Sequence, residues 1–390
     1  MEHPLHGAPA FLPNGSLVRP SVATLGLLFT ACSGPQSMLE PAGPGAAAIA
    51  GSWWFLLAIM TAVLVLVMAA LVHALFRRRT PSADVDGAER GRVVAVLVAG
   101  AAVPFVILVA IFVHTLLVLT EVGPSREGGD LVVDVVGHQY WWEVRYPLPG
   151  GDTVVTANEI HVPVGAQVAL SLRSADVIHS LWVPKLHGKT DLIPGRTNRA
   201  WMLADQPGEY RGQCAEYCGQ QHTWMALYVV ARPEPEFRAW LLRQRRPAAP
   251  VAPAPDPADE AMMEPGPAVA DSVRAAALDR NARIRRGRAV FLDPVNRCAE
   301  CHVIRGETDV AGRERPGAPG EPPGRTAEGP DLTHVASRRT LAAGLLTTNR
   351  GNMGGWISNP QALKPGNLMP HIPLEPADMN ALLEYLMSLR

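Results

Sequence analysis

The chain has 390 residues, 35 Lys/Arg against 36 Asp/Glu, and a hydrophobic fraction of 48%. That length exceeds one ordinary domain and implies two or three, while a formal net charge of −1 leaves no electrostatic footprint for nucleic acid. The 36 prolines cluster, which marks linkers between compact units, and five cysteines in unrelated contexts argue against a disulfide framework.

Residues 1–50 read as a signal-like segment. The stretch VATLGLLFTA (22–31) is apolar, follows Arg19 and ends at Cys32. Phe29 and the long polar start depart from the lipoprotein pattern, so a plain cleaved signal and lipidation at Cys32 both stay open. Residues 51–120 read as two membrane spans. Gly51–Phe76 and Val93–Thr120 carry no Asp, Glu, Lys or Arg, and at 1.5 Å per residue each exceeds the roughly 30 Å hydrocarbon thickness. The connection 77–92 holds five arginines, which places it in the cytoplasm and both flanking ends outside. Trp53 and Trp54 fall at the outer interface. His114 and Pro104 inside the second span are accounted for by a packed or kinked helix.

From Leu131 to about Arg232 the pattern changes to short Val-rich and aromatic runs: LVVDVVG, QYWWEVRY, QVALSLR, RAWML and ALYVVA. Gly, Pro, Asn and Asp separate them, which predicts an antiparallel sandwich or Greek-key barrel over 121–242. Between EYRGQ and WMALYVV lies a turn with Cys214, Cys218, His222 and Met225. Thiolate, imidazole and thioether form a ligand set that suits copper, and His179 at the edge of another strand would supply a second imidazole. A Cys-x3-Cys pair in an oxidising compartment is also compatible with a disulfide or a copper-loading pair. His138, His161 and His187 have no evident partner and read as structural or surface residues.

The blocks GHQYWWEVRY (137–146), DVIHSLWVP (176–184), KTDLIPGR (189–196) and PGEYRGQCAEYCGQQHTWM (207–225) resemble cytochrome c oxidase subunit II over roughly residues 50–240. The resemblance implies a cupredoxin-like barrel behind a two-helix hairpin and a binuclear copper centre, CuA. Cys214 and Cys218 would bridge the two coppers, and His179 and His222 would each ligate one. Met225 would be a weak ligand and the backbone carbonyl of Glu216 another, with the Glu216 side chain facing a magnesium site shared with subunit I. The aromatic patch is Tyr140, Trp141 and Trp142. It departs from the family, which has the tryptophan credited with receiving electrons from soluble cytochrome c where Tyr140 stands. The second span also lacks the family's proton-linked glutamate; Glu89 is the nearest acid and is not assigned that role.

Residues 243–275 are Pro/Ala-rich without apolar period and read as an extended tether. In the following domain, 276–390, CAECH (298–302) is the C-x-x-C-H signature of covalent haem attachment. On a helix Cys298 and Cys301 share a side and reach both vinyl groups, with His302 beneath the iron. Zinc would need a second ligand pair and a thioredoxin-type motif a βαβ setting; neither is present. Met369, in LMP, and GPDLTHVASR (329–338) resemble cytochrome c, an all-α fold, with Met369 the other axial ligand. Met353, Met379 and Met387 read as core, and the Gly/Pro-rich insert 306–328 as a surface loop.

Residues 121–240 carry 10 Lys/Arg against 14 Asp/Glu, and residues 276–390 carry 15 against 12, so encounter of the two domains is weakly attractive and the tether keeps their mutual concentration at about the millimolar level. The expectation is a haem-c-fused, caa-type subunit II in a bacterial inner membrane, its copper and haem domains on the outer face. It would relay electrons from haem c to CuA and on to subunit I, where oxygen is reduced, with cytochrome c or a quinol–cytochrome c reductase complex upstream. The alternatives are a membrane-anchored copper chaperone, which gives no reason for the haem motif, and a quinol-oxidase-type subunit without copper, which gives none for the ligand set.

Overall fold

The computed structural model describes residues 33–77, 86–123, 129–249, 251, 268–308 and 328–390. The signal-like stretch with Cys32, Arg78 and Arg79 of the basic connection, and most of the tether and of the insert 306–328 lie outside the described residues.

Two long helices come first, α1 (Pro44–Phe76) and α2 (Asp86–Val122). Their apolar stretches are not buried within the protein, as helices that face lipid require. They pack on each other where His114 Nε2 meets Ser52 Oγ at 3.2 Å and the His114 ring lies 4.3 Å from Phe55. Pro44 suits the first turn because its missing N–H has no partner there. The helix therefore starts before Gly51, and its first turns dock on the next domain. Ala42 N and Ala46 N donate to the carbonyls of Lys185 and Leu186, and Gly45 faces the His187 ring so closely that a Cβ would sit 2.9 Å from its Nε2.

Ten strands follow: β1 (Leu131–His138), β2 (Trp141–Pro147), β3 (Thr153–Ala157), β4 (Glu159–Pro163), β5 (Val168–Ser174), β6 (His179–Trp182), β7 (Thr190–Leu192), β8 (Asn198–Met202), β9 (Gly208–Cys214) and β10 (Ala226–Arg232). They form two five-stranded sheets, in the orders β3-β2-β1-β5-β8 and β4-β10-β9-β6-β7, the cupredoxin-like sandwich. Alternation sets the faces: β5 buries every second residue. Trp142, Tyr146, Ile160, Leu172 and Leu227 fill the space between the sheets, each contributing about 1.5–3 kcal/mol by burial. The β1–β5 and β4–β10 pairs are parallel, unlike the antiparallel pattern read from the sequence. Both pairs join strands that are distant in sequence, so no hairpin dictates their direction. His138 and His161 are structural, one of the two readings expected of them, but they are not without partners. His138 pairs with Glu143 at 3.1 Å and His161 with Glu159 at 3.1 Å, all four buried, and their glutamates sit at strand positions that the alternation alone does not single out. His161 further stacks on Trp240 of α3 (Glu234–Arg245) at 3.9 Å.

The C-terminal domain is helical: α4 (Ala268–Leu292), α5 (Cys298–Cys301), α6 (Arg350–Ser358), α7 (Pro360–Leu363) and α8 (Pro376–Ser388), with a small ladder of β11 (Thr340–Leu341) and β12 (Leu346–Thr347). Asn349 and Asn359 cap α6 and α7, their side chains accepting from Asn352 N and Ala362 N. The α4–α8 crossing turns on Gly287, where a Cβ would lie 2.6 Å from the Ala381 carbonyl carbon. Gly287→Ala is expected to cost about 1–3 kcal/mol by forcing the helices apart, read as a lowered melting temperature of this domain with the β-domain transition unmoved.

The two soluble domains share a closed seam. The turn after β11 holds Ala342, Ala343 and Gly344 at φ 53°, 59° and 84° and inserts Ala343 against Trp141 and Ala157. Ala226 N donates to Ala343 O at 3.0 Å, and a Cβ on Gly344 would meet Ala226 Cβ at 2.8 Å. Arg339 donates its backbone N–H to Glu159 Oε1, 2.5 Å, and pairs with Glu209. At the end of α3, Arg305 reaches the Gln244 carbonyl and His334 Nε2 lies 3.0 Å from Arg246 O.

Candidate metal centre and neighbouring cavity

Cys214 ends β9, His179 begins β6 beside it, and the turn leading to β10 carries Glu216, Cys218, His222 and Met225. The β6–β9 pairing sets Leu181 opposite Cys214, which draws the His179 end of β6 to the turn. Cys214 Sγ lies 3.9 Å from Cys218 Sγ, 3.8 Å from His179 Nδ1 and 3.2 Å from the Glu216 carbonyl oxygen. Cys218 Sγ lies 3.8 Å from His222 Nδ1 and 3.9 Å from Met225 Sδ. Both cysteines are free. Among the described residues His179, Cys214 and Cys218 form the one cluster of three or more His, Cys, Asp and Glu ligand atoms close enough to share a metal.

Burial and hydrogen bonding prepare the donors. His179 is fully buried and Cys214 and Cys218 are 3% exposed. The neighbouring Cys218 thiol and the His179 ring hold Cys214 toward the thiolate, with burial opposing, while that thiolate and burial push Cys218 upward. Two sulfurs so close cannot both shed their protons without a cation, and a bound metal supplies one. Burial works against a charged His179, but the bonds from Asp176 and Cys214 outweigh it and push its pKa up.

Residues beyond the predicted set hold these ligands. Asp176 Oδ1 accepts from His179 Nε2 at 2.8 Å, which leaves Nδ1 free to ligate. Asp176 Oδ2 accepts from Gln139 N at 2.6 Å. Gln139 Nε2 donates to the Cys218 carbonyl at 2.6 Å, and the Tyr140 hydroxyl accepts from Gln220 N at 3.2 Å. Trp141 is buried in the seam, stacked on His138 at 4.3 Å, and Trp142 is in the core with its ring edge-on to His179 at 6.0 Å. The side chain of Glu216 is exposed and lies 3.9 Å from Lys189.

A cavity of about 1150 Å³ opens in the C-terminal domain and extends to the β-domain face. Cys298, Cys301, His302 and Met369 all line it. His302 Nδ1 donates to Pro330 O at 2.8 Å, which fixes the tautomer with Nε2 bare, and Gly329 is required beneath it, since a Cβ would lie 2.7 Å from His302 Cε1. Burial pushes His302 down, keeping it neutral, and pushes the Cys298 thiol up to about 11. The Met369 backbone is held at both ends: its N–H donates to Asn367 Oδ1 at 2.8 Å and its carbonyl accepts from Gln361 Nε2 at 3.0 Å. Arg338 also lines the cavity, and its buried Nε has no partner, an orphaned donor that suits an acidic group on the occupant. An apolar wall from Phe291, Leu332, Met353 and Ile357, two thiols, a neutral imidazole and a thioether fit a haem.

The fold and these two sites define a class: a membrane-anchored electron-transfer protein joining a cupredoxin-like domain to a cytochrome c domain. The family model described as cytochrome c oxidase subunit II, periplasmic domain, matches residues 150–232, and that for cytochrome c matches residues 284–390. Cytochrome c oxidase subunit 2 of Alkalihalophilus pseudofirmus is 31% identical over 376 residues, covering 94% of this chain and 95% of that protein. The subunit 2 of Bacillus sp. strain PS3 is 29% identical, with 74% of this chain and 72% of that protein covered. A crystal structure of the periplasmic domain of subunit II of cytochrome oxidase of Bradyrhizobium japonicum aligns at 30% identity and TM-score 0.29, covering 30% of this chain and 95% of that one. The chain belongs to the cytochrome c oxidase subunit 2 family. It is an electron-transfer subunit of a terminal oxidase with a fused cytochrome c domain, of the caa type. The two domains imply copper and haem, and the family implies other oxidase subunits as partners.

Proposed function

We propose that the β-domain holds a binuclear copper centre, CuA, and the C-terminal domain (about 276–390) a covalently attached haem c. Cys214 and Cys218 would hold the metals together, with His179, His222, Met225 and the Glu216 carbonyl as the further donors. Cys298 and Cys301 would attach the haem through thioethers, and His302 and Met369 would ligate its iron. Bound there, the groups supply one-electron chemistry. The protein's own work is to hold the ligands still, so that little rearranges when charge moves. Asp176 orients His179, the seam and core exclude water, and Gln361 and Asn367 fix Met369. The observation that carries the reading is the convergence of two free thiols, two imidazoles, a thioether and a carbonyl, in a chain of contacts each under 4 Å.

The hairpin anchors the chain in the bacterial inner membrane, with the basic connection inside and both metal domains on the periplasmic side. Electrons arrive from a cytochrome c or a quinol–cytochrome c reductase complex and leave toward subunit I, which holds the oxygen site. The exposed Glu216 carboxylate would face a magnesium ion shared with subunit I. The full chain, purified in detergent and loaded with copper, is expected to give a spin-resonance signal split equally by two copper nuclei, together with haem that stays on the polypeptide after denaturation. A one-copper pattern, or haem extracted by acid and organic solvent, overturns the assignment.

A further inference from the structure

Lys364 lies in the seam at 2% exposure. Its Nζ donates to Tyr140 O of the β-domain at 3.1 Å and to Ala342 O of its own domain at 3.1 Å, and among the described residues no carboxylate pairs with it. A buried amine without a counter-charge is costly, so affinity does not explain it. Position does. In a register that kept the amine covered but moved the β-domain, it would lose the Tyr140 carbonyl and keep only Ala342 O of its own domain, so it rewards one alignment and penalises the rest.

That alignment completes a bonded path. The Met369 N–H is held by Asn367, whose Nδ2 donates to the Lys364 carbonyl at 2.7 Å. Lys364 Nζ reaches Tyr140 O, Tyr140 follows Gln139 in the chain, and Gln139 donates to the Cys218 carbonyl. Gln221, in the copper turn, donates to the carbonyl of Pro365. We propose that Lys364 is a positioning residue, which locks the C-terminal domain onto the β-domain and couples the Met369 loop to the Cys218 turn, so that electrons cross between the two sites inside this one chain. The inference rests on the metal and haem assignment above. In the step it serves, one electron would leave the haem iron, oxidised from ferrous to ferric, and reduce the copper pair by one.

The test uses the full chain in its assembled oxidase, wild type and Lys364→Met. Hydrogen exchange is read at the seam amides of Ala226 and Arg339, which bond across the domains, and electron transfer from haem to copper is timed after photoreduction. Wild-type seam amides are expected to be protected. In Lys364→Met they should exchange about tenfold faster or more, and transfer should slow by a similar factor, while both midpoint potentials and the haem and copper spectra hold. Unchanged exchange or an unchanged transfer rate in the variant overturns the proposal, and so does slowing accompanied by a shifted haem potential, which would make Lys364 a support of the haem site. Should the variant not fold, rapid exchange of the seam amides in the wild type is sufficient to overturn it. The wild-type spectra judge the cofactor assignment separately.

Discussion

Cys214→Ser is expected to remove the two-copper signal and to lower oxidase turnover by more than about a hundredfold. Serine is nearly isosteric, so the end of β9 should hold: the fold loses a buried sulfur whose neighbours are chiefly ligand atoms, at a cost of about 1 kcal/mol. The chemistry does not survive. A hydroxyl is hard and stays protonated at neutral pH, whereas copper favours thiolate. On the proposed assignment one bridge would then be missing, and Cys218, His222 and Met225 would be left to hold a single metal. Loss of groups that merely orient ligands already costs 10–100-fold in metal affinity or activity, and a bridging ligand lies nearer the metal than those. Copper content and the spin-resonance pattern check the first part, and oxygen consumption the second. A retained two-copper pattern in the variant would refute the bridging role.

Met369→Ala is expected to lower the haem midpoint potential by on the order of a hundred millivolts, with the haem still attached. Thioether ligation raises the potential, and axial ligands set it over a wide range. The proposed attachment residues Cys298 and Cys301 belong to α5 and are untouched. The loop should stay in place because Gln361 and Asn367 hold it through the Met369 backbone, which alanine keeps. At about 59 mV per factor of ten for one electron, reduction by the upstream donor becomes tens of times less favourable, while passage toward copper becomes more downhill. A redox titration of the purified chain measures the shift, and donor-driven reduction of the haem should slow while transfer onward does not. An unmoved potential would mean that another group, such as His371 in the same cavity lining, supplies the second axial ligand.

Much of the fold and of the candidate site was legible because the potential donor residues cluster in sequence. Cys214 to Met225 fall in one turn, Cys298 to His302 in one helix end, and the hairpin is written in uninterrupted apolar runs. Strand alternation was enough to expect a sandwich. What the sequence hid is pairing at a distance. The parallel β1–β5 and β4–β10 pairs are set by tertiary packing, and periodicity says nothing of which strand lies beside which. His138 and His161 looked solitary because their glutamates are ordinary strand residues until the backbone brings them alongside. Asp176 had a faint signal, three residues before His179 in ADVIH, but a carboxylate near a histidine is common. Lys364 had none. A lysine before Pro-Gly reads as a solvated loop charge, and only the opposing domain makes it a buried one.

The junction between α1 and the sandwich has a mechanical consequence. Ala42 and Ala46 bond to the loop after β6, Gly45 presses on that loop and Gly43 on the Leu203 carbonyl after β8, both without side chains, and the helix runs on from there with no break to Phe76. With no hinge between rod and cap, the rod acts as a lever about 50 Å long. A change in bilayer thickness that leans the rod turns the cap by the same angle, so membrane composition sets the pose in which the copper face meets its neighbour.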